Sequence, residues 1–302
     1  MRKSELGRLD ALKQRGEANG LRGLQMVDAE AIRQVEPAAR GLRAIFSPAT
    51  GIVDYGQVAD ALAKDVTAGG GTILTSHRVT GLHRSHGRWR ITAATSTVDA
   101  RTVISCAGLQ SDTLAAMTGA ALDPRIVPFR GEYARLSGER AGMVRGLIYP
   151  VPDPAFPFLG VHFTRRVGGE VWVGPNAILA LAKEGYRRTR INAAELASLL
   201  RWPGFYRMGA RYWRVGLSEL SLALNKGAFA RELQRYVPAV QAKDLSPAGA
   251  GVRAQAVSRD GRLLDDFVFS EEEGILHVRN APSPAATACL AIADVIAERV
   301  DR

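Results

Sequence analysis

Residues 274–290, GILHVRNAPSPAATACL, decide the fold. An apolar strand-like run, Gly274–Val278, passes through Asn280-Ala-Pro-Ser-Pro-Ala-Ala-Thr287 into a segment over 284–300. There Cys289, Ile292, Ile296 and Val300 recur at the spacing of a helix core face. Ser283 stands where a helix N-cap belongs, and Pro284 where a missing N–H costs nothing. Ala285 and Ala286 leave the next backbone N–H groups unobstructed. A helix opening of this kind attracts negative charge. An ordinary capped amphipathic helix would use the same residues.

A second strand–turn–helix unit lies far upstream. Ile104-Ser-Cys-Ala-Gly-Leu-Gln-Ser111 runs from an apolar strand through Gly108 into a helix starting near Gln110, capped near Ser111 and closed by Gly119. Ligands in open α/β sheets bind at the carboxyl ends of strands, and Gly108 would let backbone approach one closely. A plain β–turn–α connection explains this segment equally well.

Between and before these units the pattern changes. Helices are expected over 3–15, 28–34 (capped by Asp28) and 57–68, the last opened by the capping-box form Asp54-Tyr-Gly-Gln57. Val58, Leu62 and Val66 form its stripe, and Gly69-Gly-Gly71 ends it. Strands follow at Thr72–Thr75, Val79–His83, Arg88–Ala93 and Val98–Ser105, with a hairpin through His86-Gly87. Residues 125–175 alternate strand-like runs and turns, indicating a mixed or antiparallel sheet. Residues 192–240 are mostly helical, with Asn192 as a cap and Pro203 as a break, and 250–280 return to strands. The expected class is α/β (α+β): an α/β ligand domain over 1–124 and 246–302, with a sheet-plus-helices substrate domain over 125–245.

Bulk properties exclude several classes. The 302 residues, 46% hydrophobic and 23% charged, support a large core. No apolar run approaches the ~18 residues of a membrane span, and the N-terminus lacks a secretory h-region. The net charge of +10 fits a solvated, arginine-rich surface, or a field that attracts anions such as a dicarboxylate substrate, cofactor phosphates or an acidic membrane surface. No platform interleaves basic and aromatic residues, so nucleic acid is not expected. Cys106 and Cys289 sit in apolar stretches and are expected to be buried reduced thiols, which suits a cytoplasmic compartment. The five histidines show no metal-ligand spacing, so no metal is expected.

Gly249-Ala-Gly251-Val-Arg-Ala254 matches a G-x-G-x-x-A pattern but follows Ser246-Pro247 and opens into a strand-like run, which rules it out as a phosphate loop. Substrate-binding candidates are His162, Arg130, Tyr133, Asn176 and Arg253. His162 stands in the apolar run Phe158–Phe163, where it could serve as a base or as a satisfied core residue. Either arginine could grip a carboxylate bidentately.

The segments GIVDYG (51–56), VISCAGLQSD (103–112), VPFRGEY (127–133), GLIYPVPDPAFPFLGVHFT (146–164), VGPNAI (173–178), KEGY (183–186), GVRAQAV (251–257) and NAPSPAATACLAIA (280–293) resemble, in order, the L-2-hydroxyglutarate oxidase/dehydrogenase family of D-amino-acid-oxidase-type flavoenzymes. The resemblance implies FAD-dependent oxidation of a small dicarboxylate hydroxy acid, L-2-hydroxyglutarate, to 2-oxoglutarate, with electrons passed to a quinone or another acceptor. It implies FAD contacts from Cys106, Ala107 and Gly108 and from Asn280, Pro282, Ser283, Pro284, Ala285, Ala286 and Thr287. Val79 would lie near the adenine side. The start of the last helix would face the flavin N1–C2=O edge. His162 becomes the base, with Arg253 or Arg130 on the substrate carboxylates. A quinone acceptor would allow peripheral contact with the inner membrane, although no basic amphipathic helix stands out in the sequence.

This sequence departs from the family pattern at its start, where the glycine-rich βαβ phosphate unit is missing. The expectation is an incomplete Rossmann-like domain with exposed apolar surface, weak FAD binding and poor stability. Alternatives are a related flavin oxidase of another hydroxy or amino acid, and a truncated remnant without catalysis.

Overall fold

The computed structural model describes residues 5–152, 160–282 and 285–300. In chain order the elements are α1 (Leu6–Ala18), β1 (Gln25–Asp28), α2 (Ala29–Val35), β2 (Arg43–Phe46), α3 (Tyr55–Ala68), β3 (Val79–Ser85), β4 (Arg88–Ala93), β5 (Thr97–Ala100), β6 (Val103–Ser105) and α4 (Ser111–Met117). There follow β7 (Arg125–Leu136), β8 (Leu147–Ile148), β9 (His162–Arg165), β10 (Val171–Gly174), β11 (Ile178–Leu179), α5 (Ala193–Leu200), α6 (Pro203–Leu224) and α7 (Lys226–Gln234). The last are β12 (Leu245–Val257), β13 (Val268–Glu272), β14 (Ile275–Asn280) and α8 (Cys289–Val300).

Two compact units form. The first holds Met1–Asp54, Arg130–Ile178 and Arg214–Gly251, the second Tyr55–Phe129, Leu179–Trp213 and Val252–Arg302. These boundaries group 1–54 with the central sheet and 179–213 with the terminal strands, unlike the division drawn from sequence.

In the first unit, antiparallel pairing joins β8 to β9, β9 to β10 and β10 to β7. The apolar face of α7, Phe229, Ala230 and Leu233, packs against Leu136, Phe163, Val171 and Val173 of this sheet. Burying side chains of this size contributes about 1.5–3 kcal/mol each. Asp28 caps α2 as expected, accepting from the backbone N–H of Glu30 and Ala31 at 3.0 and 2.9 Å. The buried Glu36 carboxylate accepts from the backbone N–H of Arg145, at 2.9 Å, and of Gly146.

In the second unit, β3, β4 and β5 form a meander. The hairpin expected at His86-Gly87 is present, both residues having positive φ (50° and 74°) as a two-residue turn requires. A separate three-stranded sheet has the order β13-β14-β6. β14 is buried along its whole length. Ile275 packs with Leu82 and Trp89 on one side, while Leu276 and Val278 pack with Ile296 of α8 on the other. Trp89 also donates from Nε1 to the Glu273 carbonyl at 3.0 Å.

Several local expectations change. Thr72–Thr75 forms no strand; Ile73 and Leu74 are exposed and no described strand lies alongside to complete a ladder. The run expected as one strand over 98–105 breaks at Arg101-Thr102, because β5 pairs with β4 and β6 with β14. Ser111 is not a cap. Gln110 holds that position, and the Ser111 hydroxyl donates to the Arg279 carbonyl at 3.1 Å. The last helix begins at Cys289, with Ala285–Ala288 in a 3₁₀ turn before it. Ser283 and Pro284, expected to open it, lie outside the described residues. Gly249 and Gly251 lie within β12, in line with their rejection as a phosphate loop.

Candidate active site

The two strand–turn–helix units of the sequence meet in the second unit. β6 and β14 are parallel neighbours in the register Ile275↔Val103, Leu276↔Ile104 and His277↔Ser105. Their carboxyl ends therefore open on the same sheet edge, where α/β proteins place ligands. A cavity of about 380 Å³ lies there, lined by Cys106 and Gly108 after β6, by Asn280 at the end of β14, and by Ala285, Ala286 and α8. Its size falls within the range of small-ligand pockets. Gly108 has φ +51°, and the position a Cβ would occupy opens on empty space. Alanines and a glycine form much of the wall, so backbone is accessible to a ligand.

The electrostatics of this cavity favour an anionic or electron-rich ligand. Among its lining residues there is no carboxylate and one guanidinium, that of Arg279. Arg279 is buried; its terminal nitrogens donate to the carbonyls of Ala121 (3.0 Å) and Pro124 (2.8 Å), and its Nε has no partner. Burial lowers its pKa, opposed by Asp112 and Asp123. Asn280 is also buried, and its amide donates to the Asp266 carbonyl at 2.7 Å. It therefore braces the loop over 264–266. Partial desolvation raises the Cys106 pKa. Both cysteines are free, but Cys106 is exposed, contrary to expectation, because the chain leaves the sheet there.

The other predicted cofactor residues are placed differently. Ala107 and Pro282 lie in the same two turns, and Thr287 in the 3₁₀ turn. Val79 begins β3 and packs against the Leu82–Trp89 cluster; it does not line the cavity. A second cavity of about 440 Å³ contains the buried Lys183–Asp112 ion pair, and none of the predicted site residues lines it.

Four of the five substrate candidates gather at one end of the sheet in the first unit. His162 begins β9 opposite Gly174 of β10, and the cis Gly174–Pro175 bond leads directly to Asn176. Asn176 Oδ1 accepts the Glu132 backbone N–H at 2.9 Å, and Arg130 pairs with the Glu132 carboxylate at 2.6 Å. Gly131 is obligatory between them, since a Cβ there would lie 2.8 Å from Pro175. The His162 ring stacks on Tyr149 (centroids 4.5 Å apart), with Nδ1 3.0 Å from the Gly160 carbonyl. Tyr133 packs on Trp172. Arg253 belongs to the second unit.

Two residues missed in the sequence belong to this cluster. Glu132 already faces Arg130, so that guanidinium is not a bare cation awaiting substrate. Glu219 of α6 accepts the Ala177 backbone N–H at 2.7 Å, and burial raises its pKa. Glu132 was within sight in the GEY segment; nothing in the sequence marked Glu219.

The parallel strands open into a small-residue cradle, and the family comparison gives the class. The FAD dependent oxidoreductase family matches residues 2–299, and the chain belongs to it. Within it, the chain is 46% identical to the mitochondrial L-2-hydroxyglutarate dehydrogenase of Nematostella vectensis, over 98% of this chain and 69% of that one. It is 44% identical to the L-2-hydroxyglutarate dehydrogenase of Escherichia coli (98% and 70% covered) and 42% to the human mitochondrial protein (99% and 68%). Among solved structures, FAD-bound L-alpha-glycerophosphate oxidase from Mycoplasma pneumoniae shares the fold with TM-score 0.72 at 20% identity, covering all of this chain and 71% of that one. Glycine oxidase from Bacillus cereus follows with TM-score 0.63 at 14% identity, covering 100% and 74%.

Proposed function

We propose that this chain oxidises L-2-hydroxyglutarate to 2-oxoglutarate with FAD as cofactor. One observation carries the reading: the turns after β6 and β14, 175 residues apart in sequence, line one cavity free of carboxylates, in a chain 42–46% identical to three named L-2-hydroxyglutarate dehydrogenases. Cys106–Gly108, Asn280–Pro282 and Ala285–Thr287 would hold the flavin, and Arg279 would supply positive charge there. Bound FAD supplies the hydride acceptor, N5.

The chain's own residues do the rest. His162 takes the proton of the substrate hydroxyl as the Cα–H leaves as hydride, a task suited to a neutral imidazole near pH 7. Arg253 or Arg130 holds a substrate carboxylate, Arg130 remaining tied to Glu132. Tyr133 and Asn176 keep that end of the sheet in place. The electrons then pass to a quinone or another acceptor.

The experiment is reduction of the FAD-loaded chain by L-2-hydroxyglutarate under anaerobic conditions, followed by flavin bleaching. Bleaching with L-2-hydroxyglutarate but not its D-enantiomer supports the reading. Bleaching by an amino acid or another hydroxy acid instead would make it a related flavin oxidase, and no bleaching with any of them would sink the proposal.

A further inference from the structure

The cavity of about 440 Å³ lies wholly within the second unit, lined by α4, the start of β7, the 180–183 loop and α5. Ile126 lines both this cavity and the one proposed for FAD. Ser111 lines only the FAD cavity, Asp112 and Thr113 only this one. The two are separate spaces that share a wall. The wall here is mostly apolar, with Ile126, Leu196 and Leu199 among its side chains. Leu122, also a lining residue, is 61% exposed, so an apolar side chain stands where the cavity meets solvent. A volume of this size suits a small molecule.

Four charged side chains line the cavity, and three are engaged within the chain. The Lys183 ammonium donates to the Asp112 carboxylate and, at 2.7 Å, to the Thr113 hydroxyl. Asp112 also accepts the Ile126 backbone N–H at 3.1 Å. Glu195 accepts the Lys183 backbone N–H at 2.7 Å, in the first turn of α5 where a helix favours negative charge. Arg125 differs. Its terminal nitrogens donate to the Ser198 carbonyl at 3.1 Å and to the Ser198 hydroxyl at 2.6 Å, and its guanidinium carbon lies 5.8 Å from the centre of the Trp202 ring. These neutral partners fix the fork in place without cancelling its charge. Among the described residues no carboxylate pairs with it. A guanidinium has five N–H groups, so three remain for a ligand. A half-buried cation in a mostly apolar wall favours an anion, and its planar fork matches a carboxylate. A phosphate dianion fits worse, because it would bring two charges to one guanidinium beside Asp112 and Glu195.

We propose that this cavity binds a small monocarboxylate with an apolar body, its carboxylate on Arg125 and its body against Ile126, Leu196 and Leu199. The site is independent of the reaction proposed above. The test is calorimetric titration of the full chain with 4-phenylbutyrate, 4-phenylbutanol and inorganic phosphate. The acid should bind, and the alcohol and phosphate should bind at least about tenfold more weakly. Arg125→Gln should weaken binding of the acid roughly ten- to a hundredfold, the usual worth of a hydrogen bond to a charged group. Arg125→Lys, which keeps the charge and loses the fork, should recover part of the affinity. Should Arg125→Gln melt early through loss of its bonds to Ser198, Ala116→Phe decides. Ala116 is an exposed lining residue on α4, so the added ring should fill the cavity and abolish binding at an unchanged melting temperature. Failure of the wild type to bind the acid overturns the proposal. So does equal binding of the alcohol or of phosphate, or full affinity in a folded Arg125→Gln or Ala116→Phe chain.

Discussion

Asn176 reaches from the loop after β10 to the backbone of Glu132 on β7, its Oδ1 accepting that N–H at 2.9 Å. The bond ties the cis Gly174–Pro175 corner to the segment that carries Arg130 and Tyr133. Asn176→Ala leaves the Glu132 N–H without its acceptor and should cost about 1–3 kcal/mol of stability, read from urea unfolding. Turnover should fall with it, because Arg130 loses its brace.

His162→Asn should lower turnover of L-2-hydroxyglutarate about a hundred- to ten-thousandfold, the usual worth of a general base. Flavin binding should be unchanged. Rapid-reaction flavin reduction is the check: the rate constant for reduction should fall in the variant while the flavin spectrum before mixing stays that of the wild type.

Gly108→Val separates strain from obstruction. With φ at +51°, a side chain costs about 1–2 kcal/mol in the chain alone. The same side chain would project into the space proposed for the flavin. FAD titration should therefore show a loss of affinity larger than the loss of stability; equal losses would remove Gly108 from the site.

Lys183→Met leaves the buried Asp112 carboxylate without its ammonium partner, although the Ile126 backbone N–H still donates to it at 3.1 Å. Removing one member of a buried pair costs about 3–5 kcal/mol. Denaturant midpoints should show that loss, and Asp112→Asn in the same chain should recover part of it.

Two groups, the fully buried His277 and the half-buried Glu219, give the stability opposite slopes with pH. His277 is fully buried, with Nε2 3.1 Å from the Thr118 hydroxyl; burial lowers its pKa, Glu272 opposing and Arg279 assisting. The unfolded chain takes up a proton that the folded one refuses, so stability should drop as pH falls through about 6.5 and level off below the folded value. Glu219 is raised by burial, so its contribution is present below about pH 4.5 and is lost as pH rises through its folded value. Urea midpoints over this range should flatten at the upper end in His277→Asn and at the lower end in Glu219→Gln.

What could be read from the chain was what four or five neighbouring residues decide. Asp28 and Asn192 cap the helices they precede, Gly70 turns left-handed after α3, and His86-Gly87 closes a hairpin. In each case the competing conformations differ by contacts within one turn. The strand end at 105 was legible for the same reason, the last strand runs two residues past the expected Val278 to Asn280, and the family was legible too. That these ends lie side by side was not, because parallel pairing joins residues about 170 positions apart and leaves no local trace. The same holds for the missing strand at Thr72–Thr75, which had the composition but no partner. It holds too for Glu219, whose pKa depends on what packs over it.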